Sequence, residues 1–230
     1  MPMAVLNTTL ATDVLNYAPA RLTEPIGPMV WALEQPLVSA LALFVLGIVC
    51  ASLLWRRDQA RLGLIVGGAL IALAAAVMAL GTLVVTDREQ IGMGSRTFVI
   101  AAVDGDMEAL DRVMLEEAAL AGSGRTVADD GRERIKRLSQ AQAQAALIES
   151  WRISRLQARI DGPNVGTTQF RVRMTPRGGL PTLSWWRLHW RRDAQGVWRI
   201  GTIDCLAING REPGSGLLNW LGGAAPMRGL

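Results

Sequence analysis

Two uncharged runs limit what this chain can fold into more than any other feature. Leu37 to Trp55 is a stretch of 19 residues without Asp, Glu, Lys or Arg, and Leu62 to Thr86 is a second one of 25. At about 1.5 Å per residue, each is long enough as a helix to cross a hydrocarbon layer of about 30 Å, the second with some tilt. A core helix of a soluble protein keeps a polar stripe, and neither run has one. The chain is therefore expected to carry a two-span transmembrane hairpin over residues 37–86, with spans 37–55 and 62–86.

The loop 56–61 between the runs holds Arg56, Arg57 and Arg61, against the single Arg21 of the preceding tail. Basic loops are retained in the cytoplasm, so both chain ends are expected on the non-cytoplasmic side, in a bacterium the periplasmic face of the inner membrane. Trp31 and Trp55, with Arg56, Arg57 and Arg61, suit the membrane interface as anchors. The tail 1–36 contains Asp13, Glu24 and Glu34 and has no basic opening segment, so it reads as a retained tail and not a cleaved signal peptide. Gly63, Gly67, Gly68, Ala72 and Ala76 on the second span, with Gly47 and Ala51 on the first, offer small-residue stripes for close helix packing.

After Thr86 the texture becomes that of a soluble domain. Ile91, Phe98, Val99 and Ala102 suggest a helix from Asp87 to Val103, which Asp104-Gly105-Asp106 breaks and restarts as the short helix DMEALDRVM. GSGRTVADD reads as a loop. Asp130 and Glu133 then have capping-box spacing for the helix GRERIKRLSQAQAQAALI, whose apolar stripe is Ile135, Leu138, Ala141, Ala145 and Ile148. From residue 150 the period becomes two, and SWRISRLQARI, TTQFRVRM, LSWWRLHWRR and VWRIGTIDCLAI predict a four-stranded antiparallel meander.

The stretch LSWWRLHWRRDAQGVWRIG, residues 183–201, has four of the eight tryptophans and four arginines, and strand parity sorts them. One face gathers Leu156, Ala158, Ile160, Phe170, Val172, Met174, Trp186, Leu188, Trp190, Trp198 and Ile200, the expected core. The other gathers Arg155, Arg159, Arg171, Arg173, Arg187, His189 and Arg191. Between residues 151 and 199 Asp161 and Asp193 are the only acids, so this arginine face is short of carboxylate partners and is expected to meet anionic lipid headgroups or an acidic protein surface. Residues 209–230 form a C-terminal tail in which Leu217, Leu218, Trp220 and Leu221 are too few to span a bilayer and are expected to pack on the domain or touch the interface.

The helix restart at Gly105-Asp106, the GRERI helix and a final strand of the form Gly196-Val197-Trp198-Arg199-Ile200 resemble the nuclear-transport-factor-2-like superfamily, which includes ketosteroid-isomerase-like and polyketide-cyclase-like proteins. The resemblance covers about residues 87–208. It implies an α+β domain of helices packed on a curved antiparallel sheet that closes into a cone, behind the hairpin anchor, and enzymes of the superfamily place acids and bases inside the mouth. Here the single tyrosine, Tyr17, lies outside the domain, and the single histidine, His189, falls on the arginine face. Asp204 is the one weak candidate for a catalytic acid or base, with a strand-end role bonding a backbone amide or arginine as the plainer reading. Asp104 and Asp106 read as a helix break and an N-cap.

Cys50 and Cys205 are poorly placed to pair, and no cluster has metal-ligand spacing. No cofactor, metal or nucleic-acid partner is expected. The reading is a membrane-anchored, non-catalytic binding or assembly module, as a homo-oligomer or a subunit of a membrane complex. The alternative is a small-ligand binder or isomerase- or dehydratase-like enzyme using the cone cavity. A reporter fused after Leu230 is expected to be active only on the non-cytoplasmic side. Labelling of a cysteine placed at Gln59 by an impermeant thiol reagent in intact cells is the contrary result.

Overall fold

The computed structural model describes residues 19–22, 36–83, 85–128, 131–146, 148–213 and 217. The chain divides into two compact units, Glu24–Asp87 and a second formed by Met1–Thr23 with Arg88–Leu230.

The first unit is a helical hairpin, α1 (Pro36–Trp55) and α2 (Ala60–Leu83), turned through Arg56 to Asp58. Its helices meet on the glycines. A Cβ at Gly67 would lie 2.9 Å from the Ala51 Cβ, and one at Gly47 would lie 3.1 Å from the Gly67 carbonyl oxygen. Larger residues there would force the backbones apart. Only 11% of the Leu37–Trp55 window and 17% of the Ala60–Ala79 window is buried, and residues such as Leu41, Leu53, Leu64 and Ile65 point outward. Both helices are long and apolar enough to cross a membrane.

The second unit is α+β. α3 (Asp87–Asp104) ends at Gly105, whose φ of +70° suits a residue without a side chain. Asp106 then caps α4 (Met107–Val113), its carboxylate accepting from the Ala109 N–H at 3.0 Å. β1 (Met114–Gly122), β2 (Arg125–Ala128), α5 (Arg132–Ala146), β3 (Ile148–Gly162), β4 (Val165–Pro176), β5 (Thr182–Arg192) and β6 (Trp198–Ile208) complete the unit. The strands make one curved six-stranded sheet in the order β2-β1-β6-β5-β4-β3. β1 runs parallel to β6 and every other pair is antiparallel.

The expected meander is present as β3 to β6. The sheet is nevertheless wider than expected, because MLEEAALAG is strand β1 and the GSGRTVADD segment is mostly the β1–β2 turn and strand β2. Ala118, Leu120 and Ala121 of β1 are buried while Glu116 and Glu117 are exposed, so no alternation announces this strand. α5 stops at Ala146, which places Ile148 in β3 and not on the helix stripe; Ile135 and Leu138 face the core and Ala141 is exposed. Asp130, and the tail except Leu217 and the stretch ending at Pro213, lie outside the described residues. Leu217 is buried in the core.

The concave face of the sheet holds α3. Phe170, Val172, Leu188, Trp190, Trp198 and Ile200 are buried, and Leu156, Ala158, Ile160, Met174 and Trp186 pack against them half-buried, so all eleven residues assigned by parity share one core with Ile91, Phe98 and Val99 of α3. Trp190 is 1% exposed, and its indole N–H donates to the Thr168 Oγ1 at 2.9 Å. Thr168 is in turn 2.7 Å from the Ser95 Oγ on α3. Trp190→Ala is expected to cost about 3–5 kcal/mol in denaturant unfolding, by lost burial and the cavity left behind. A loss under about 1 kcal/mol would mean the indole is not a core group.

Candidate functional site

Sequence and fold together offer two surfaces, the inside of the cone and the back of the sheet. Inside, a cavity of about 100 Å³ lies between Phe98, Ala102, Leu138, Phe170 and Trp186, and Ser139 supplies the single hydroxyl among its lining residues. Among the described residues, no titratable side chain lines it. A shallower depression of about 570 Å³ shares Val103 and Ile148 with it and brings in Asp104, Glu149 and Arg177. The cavity can therefore hold an apolar group, and charged groups stand at its rim.

Asp204 is not inside. The pairing of β5 with β6 passes from Trp190↔Ile200 to His189↔Thr202, so Gly201 is an extra residue in β6. A bulge of this kind reverses the parity of the residues beyond it. Ile203 and Cys205 turn to the core, and Asp204 sits opposite Arg187 on the back of the sheet. Its carboxylate is 4% exposed and accepts from the Gly124 N–H at 3.1 Å. Ser123 and Gly124 have φ of 52° and 78°, so both central residues of the β1–β2 turn are left-handed and Asp204 ties that turn to β6. The plainer of the two sequence expectations describes this geometry.

The back of the sheet also departs from a simple arginine face. Trp185 is buried there with Leu206 and Ala207 in a second apolar cluster, and Thr167 and Gln169 are buried too. Ala20 and Leu22 of the N-terminal tail lie on it: the Gln169 Nε2 donates to the Ala20 carbonyl at 3.1 Å, and the Leu22 N–H donates to the Gln157 Oε1 at 3.3 Å. No sequence pattern signals this contact, which joins residues more than 130 positions apart.

The arginines divide by partner. Arg159 binds Asp161, which also accepts from the Thr167 hydroxyl. Arg187 forks onto the Gln169 Oε1 at 2.7 and 3.2 Å. Arg191 is exposed between Val165 and Arg199 in the register. Arg155 and Arg171 flank the Trp185 ring, their guanidinium carbons 6.0 and 5.9 Å from its centroid. Arg171 also donates to the Ser154 Oγ at 3.0 Å. Arg173 is exposed, with Arg152 opposite in register. Burial, then the charges of Arg155 and Arg173, hold the Arg171 guanidinium below its ordinary value. Arg155 has a φ of 55°, a left-handed conformation that costs a side-chain-bearing residue on the order of 1–2 kcal/mol, at a register shift between Ser154 and Gln157.

In the hairpin, Trp55, Arg56, Arg57 and Arg61 are all exposed around the turn, and Trp31 lies outside the described residues. Among the described residues no group of three or more His, Cys, Asp or Glu is arranged to hold a metal ion, and Cys50 and Cys205 are free thiols.

No family model and no curated protein matches the chain. Among solved structures, a ketosteroid isomerase-like protein from Erwinia carotovora atroseptica is 12% identical, with a TM-score of 0.44, over 52% of this chain and 95% of that one. Other neighbours are described as nuclear-transport-factor-2-like proteins. One such protein from Cytophaga hutchinsonii is 17% identical, with a TM-score of 0.42, over 54% of this chain and 99% of its own. Another from Rhodospirillum rubrum, described as of unknown function in nutrient uptake, is 15% identical, with a TM-score of 0.40, over 51% and 97%. Nothing about activity passes to this chain at such identities.

Two substitutions test the placement of the polar groups. Asp204→Asn keeps an acceptor for the Gly124 N–H and is expected to leave stability nearly unchanged, whereas Asp204→Ala should cost about 1–3 kcal/mol. Equal losses would mean the hydrogen bond is immaterial. His189 is half-buried, and burial followed by repulsion from Arg187 holds its imidazole below the ordinary 6.5. The unfolded chain then binds its proton first as pH falls, so stability declines below about 6.5. His189→Gln should flatten that decline in unfolding curves; an unchanged slope would assign it to other groups.

Proposed function

We propose that the chain is a membrane-anchored, non-catalytic binding module that presents its sheet domain on the non-cytoplasmic side of a bacterial cell membrane. The observation that carries the reading is the separation of chemistry between the two faces of the sheet. The cone cavity is apolar apart from the Ser139 hydroxyl, while Asp204, His189 and the arginines lie on the back. General acid–base catalysis needs a titratable group within hydrogen-bond reach of a bound substrate, and no described side chain lining the cavity is one.

Topology supports the anchoring. Ala20 and Leu22 precede α1 and bond to Gln169 and Gln157, which come after α2. Tail and sheet domain therefore share one side of any membrane that the hairpin crosses, as an even number of spans requires. The arginines of the loop, which favour retention in the cytoplasm, support the non-cytoplasmic side for both.

The alternative, catalysis or polar-ligand recognition at the cone, makes the opposite demand on Ser139 and on Asp104 and Glu149 at the rim. The test compares the wild-type gene with two variants in a deletion strain of the source organism. A Ser139→Ala, Asp104→Asn, Glu149→Gln variant is expected to restore the wild-type phenotype, and an exported domain lacking residues 36–83 is expected to fail. Loss of function in a stably folded, normally inserted triple variant would favour the enzyme.

A further inference from the structure

The back of the sheet gathers a cluster of cations that has no carboxylate partner among the described residues. At the register shift of β3, Arg155 takes a left-handed φ of 55°, where Gly or Asn would be unstrained. The shift brings Ser154, Gln157 and Arg155 to the back, next to Arg171 of β4. Such bulges re-aim side chains and are retained where the new direction is used. Here it sets Arg155 and Arg171 on the Trp185 ring, with Arg173 and Arg152 adjoining in register. None of the four has a carboxylate within ion-pair distance among the described residues, although Arg159 nearby binds Asp161 and Arg199 binds Asp193. The repulsion is felt inside the cluster, since the charges of Arg155 and Arg173 both disfavour the charged form of Arg171.

We propose that Arg152, Arg155, Arg171 and Arg173 form a binding surface for the phosphate headgroups of anionic lipids. Guanidinium groups bind phosphate oxygens in a bidentate fork, and two of these are held in place by an aromatic ring and a serine hydroxyl before any ligand arrives. A lipid surface, more than an isolated phosphate, suits a row of four cations spread over two strands. The source is local: α2 ends at Leu83 and α3 of this domain starts at Asp87, so the domain is leashed to whatever bilayer α2 enters. Attraction to an anionic surface fades within a Debye length of about 8 Å, and such a leash keeps the domain near it. The proposal rests on the membrane-anchored reading.

The test uses the full chain in nanodiscs, with Cys50→Ala and a nitroxide on Ser150→Cys, an exposed residue beside the cluster. A nickel-chelating lipid broadens the nitroxide signal at headgroup level. In discs containing phosphatidylglycerol the broadening should be at least about twofold that in neutral phosphatidylcholine discs at low salt, and the difference should vanish in about 1 M salt. Arg155→Gln, Arg171→Gln, Arg173→Gln should abolish it, and Arg152→Gln with Arg173→Gln, both exposed and outside the Trp185 stack, should weaken it with the near-ultraviolet spectrum intact. Inorganic phosphate at about 10 mM should leave it in place, since multivalent contact with a surface outcompetes single ions. Equal broadening on both discs, or no effect of the double variant, would overturn the proposal. Full displacement by phosphate would overturn it in favour of a soluble anion, and displacement by a polyglutamate peptide but not by phosphate would overturn it in favour of an acidic protein. Failure of the chain to enter discs, by contrast, would remove the membrane-anchored reading itself.

Discussion

The contact between Trp190 and Gly94 sets the geometry on which the sheet domain depends. A Cβ on Gly94 would lie 2.6 Å from the indole Cη2, so α3 can sit this deep in the sheet because it presents hydrogen at that point. The same indole bonds Thr168, Thr168 bonds Ser95, and Ser95 donates to the Ile91 carbonyl at 2.8 Å. Ser95, Thr168 and Trp190 are each at most 1% exposed, and a buried polar group without a partner costs about 1–3 kcal/mol, so the chain of bonds fixes which turn of α3 meets which strands. With α3 seated, the concave face is filled by apolar groups down to the small cavity beside Phe98 and Trp186. Apart from the Ser95–Thr168 pair, most polar and charged residues of the central strands are left to the back.

That division was legible in the sequence where strands alternate without interruption. Phe170, Val172, Leu188, Trp190, Trp198 and Ile200 are all buried on the face assigned to them, because each lies in a stretch where a period of two holds. Parity inverts where the ladder slips. Gly201 adds one residue to β6 and sends Asp204 to the back, and Gly within a strand was the available sign. β1 has no local signature, because Glu116-Glu117 interrupt its apolar residues and its parallel pairing with β6 joins segments far apart in sequence. The cover of Trp185 by two arginines, and the bonds of Ala20 and Leu22 to the sheet, are long-range contacts with no local period to announce them.

The two faces call for different kinds of function. Among the described residues, the 100 Å³ apolar hollow is lined by one hydroxyl and is suited to holding a side chain or small apolar group. The back carries buried hydrogen-bonding side chains, a tail segment in place, and arginines whose strain and repulsion the fold tolerates. The hairpin adds two helices long and apolar enough to cross a membrane, packed closely through their glycines.

The most direct measurement is a double-mutant cycle between Gly94→Ala and Trp190→Phe, read as unfolding free energy. In the wild-type background the added methyl overlaps the far edge of the indole, and overpacking there should cost about 1–3 kcal/mol. In the Trp190→Phe background that edge is absent, and Gly94→Ala should be neutral or stabilising by up to about 1 kcal/mol through helix propensity. A coupling above about 1 kcal/mol would show that the glycine exists to admit the tryptophan. Equal effects of Gly94→Ala in both backgrounds would contradict the account, since α3 would then be held in the sheet by something other than this contact.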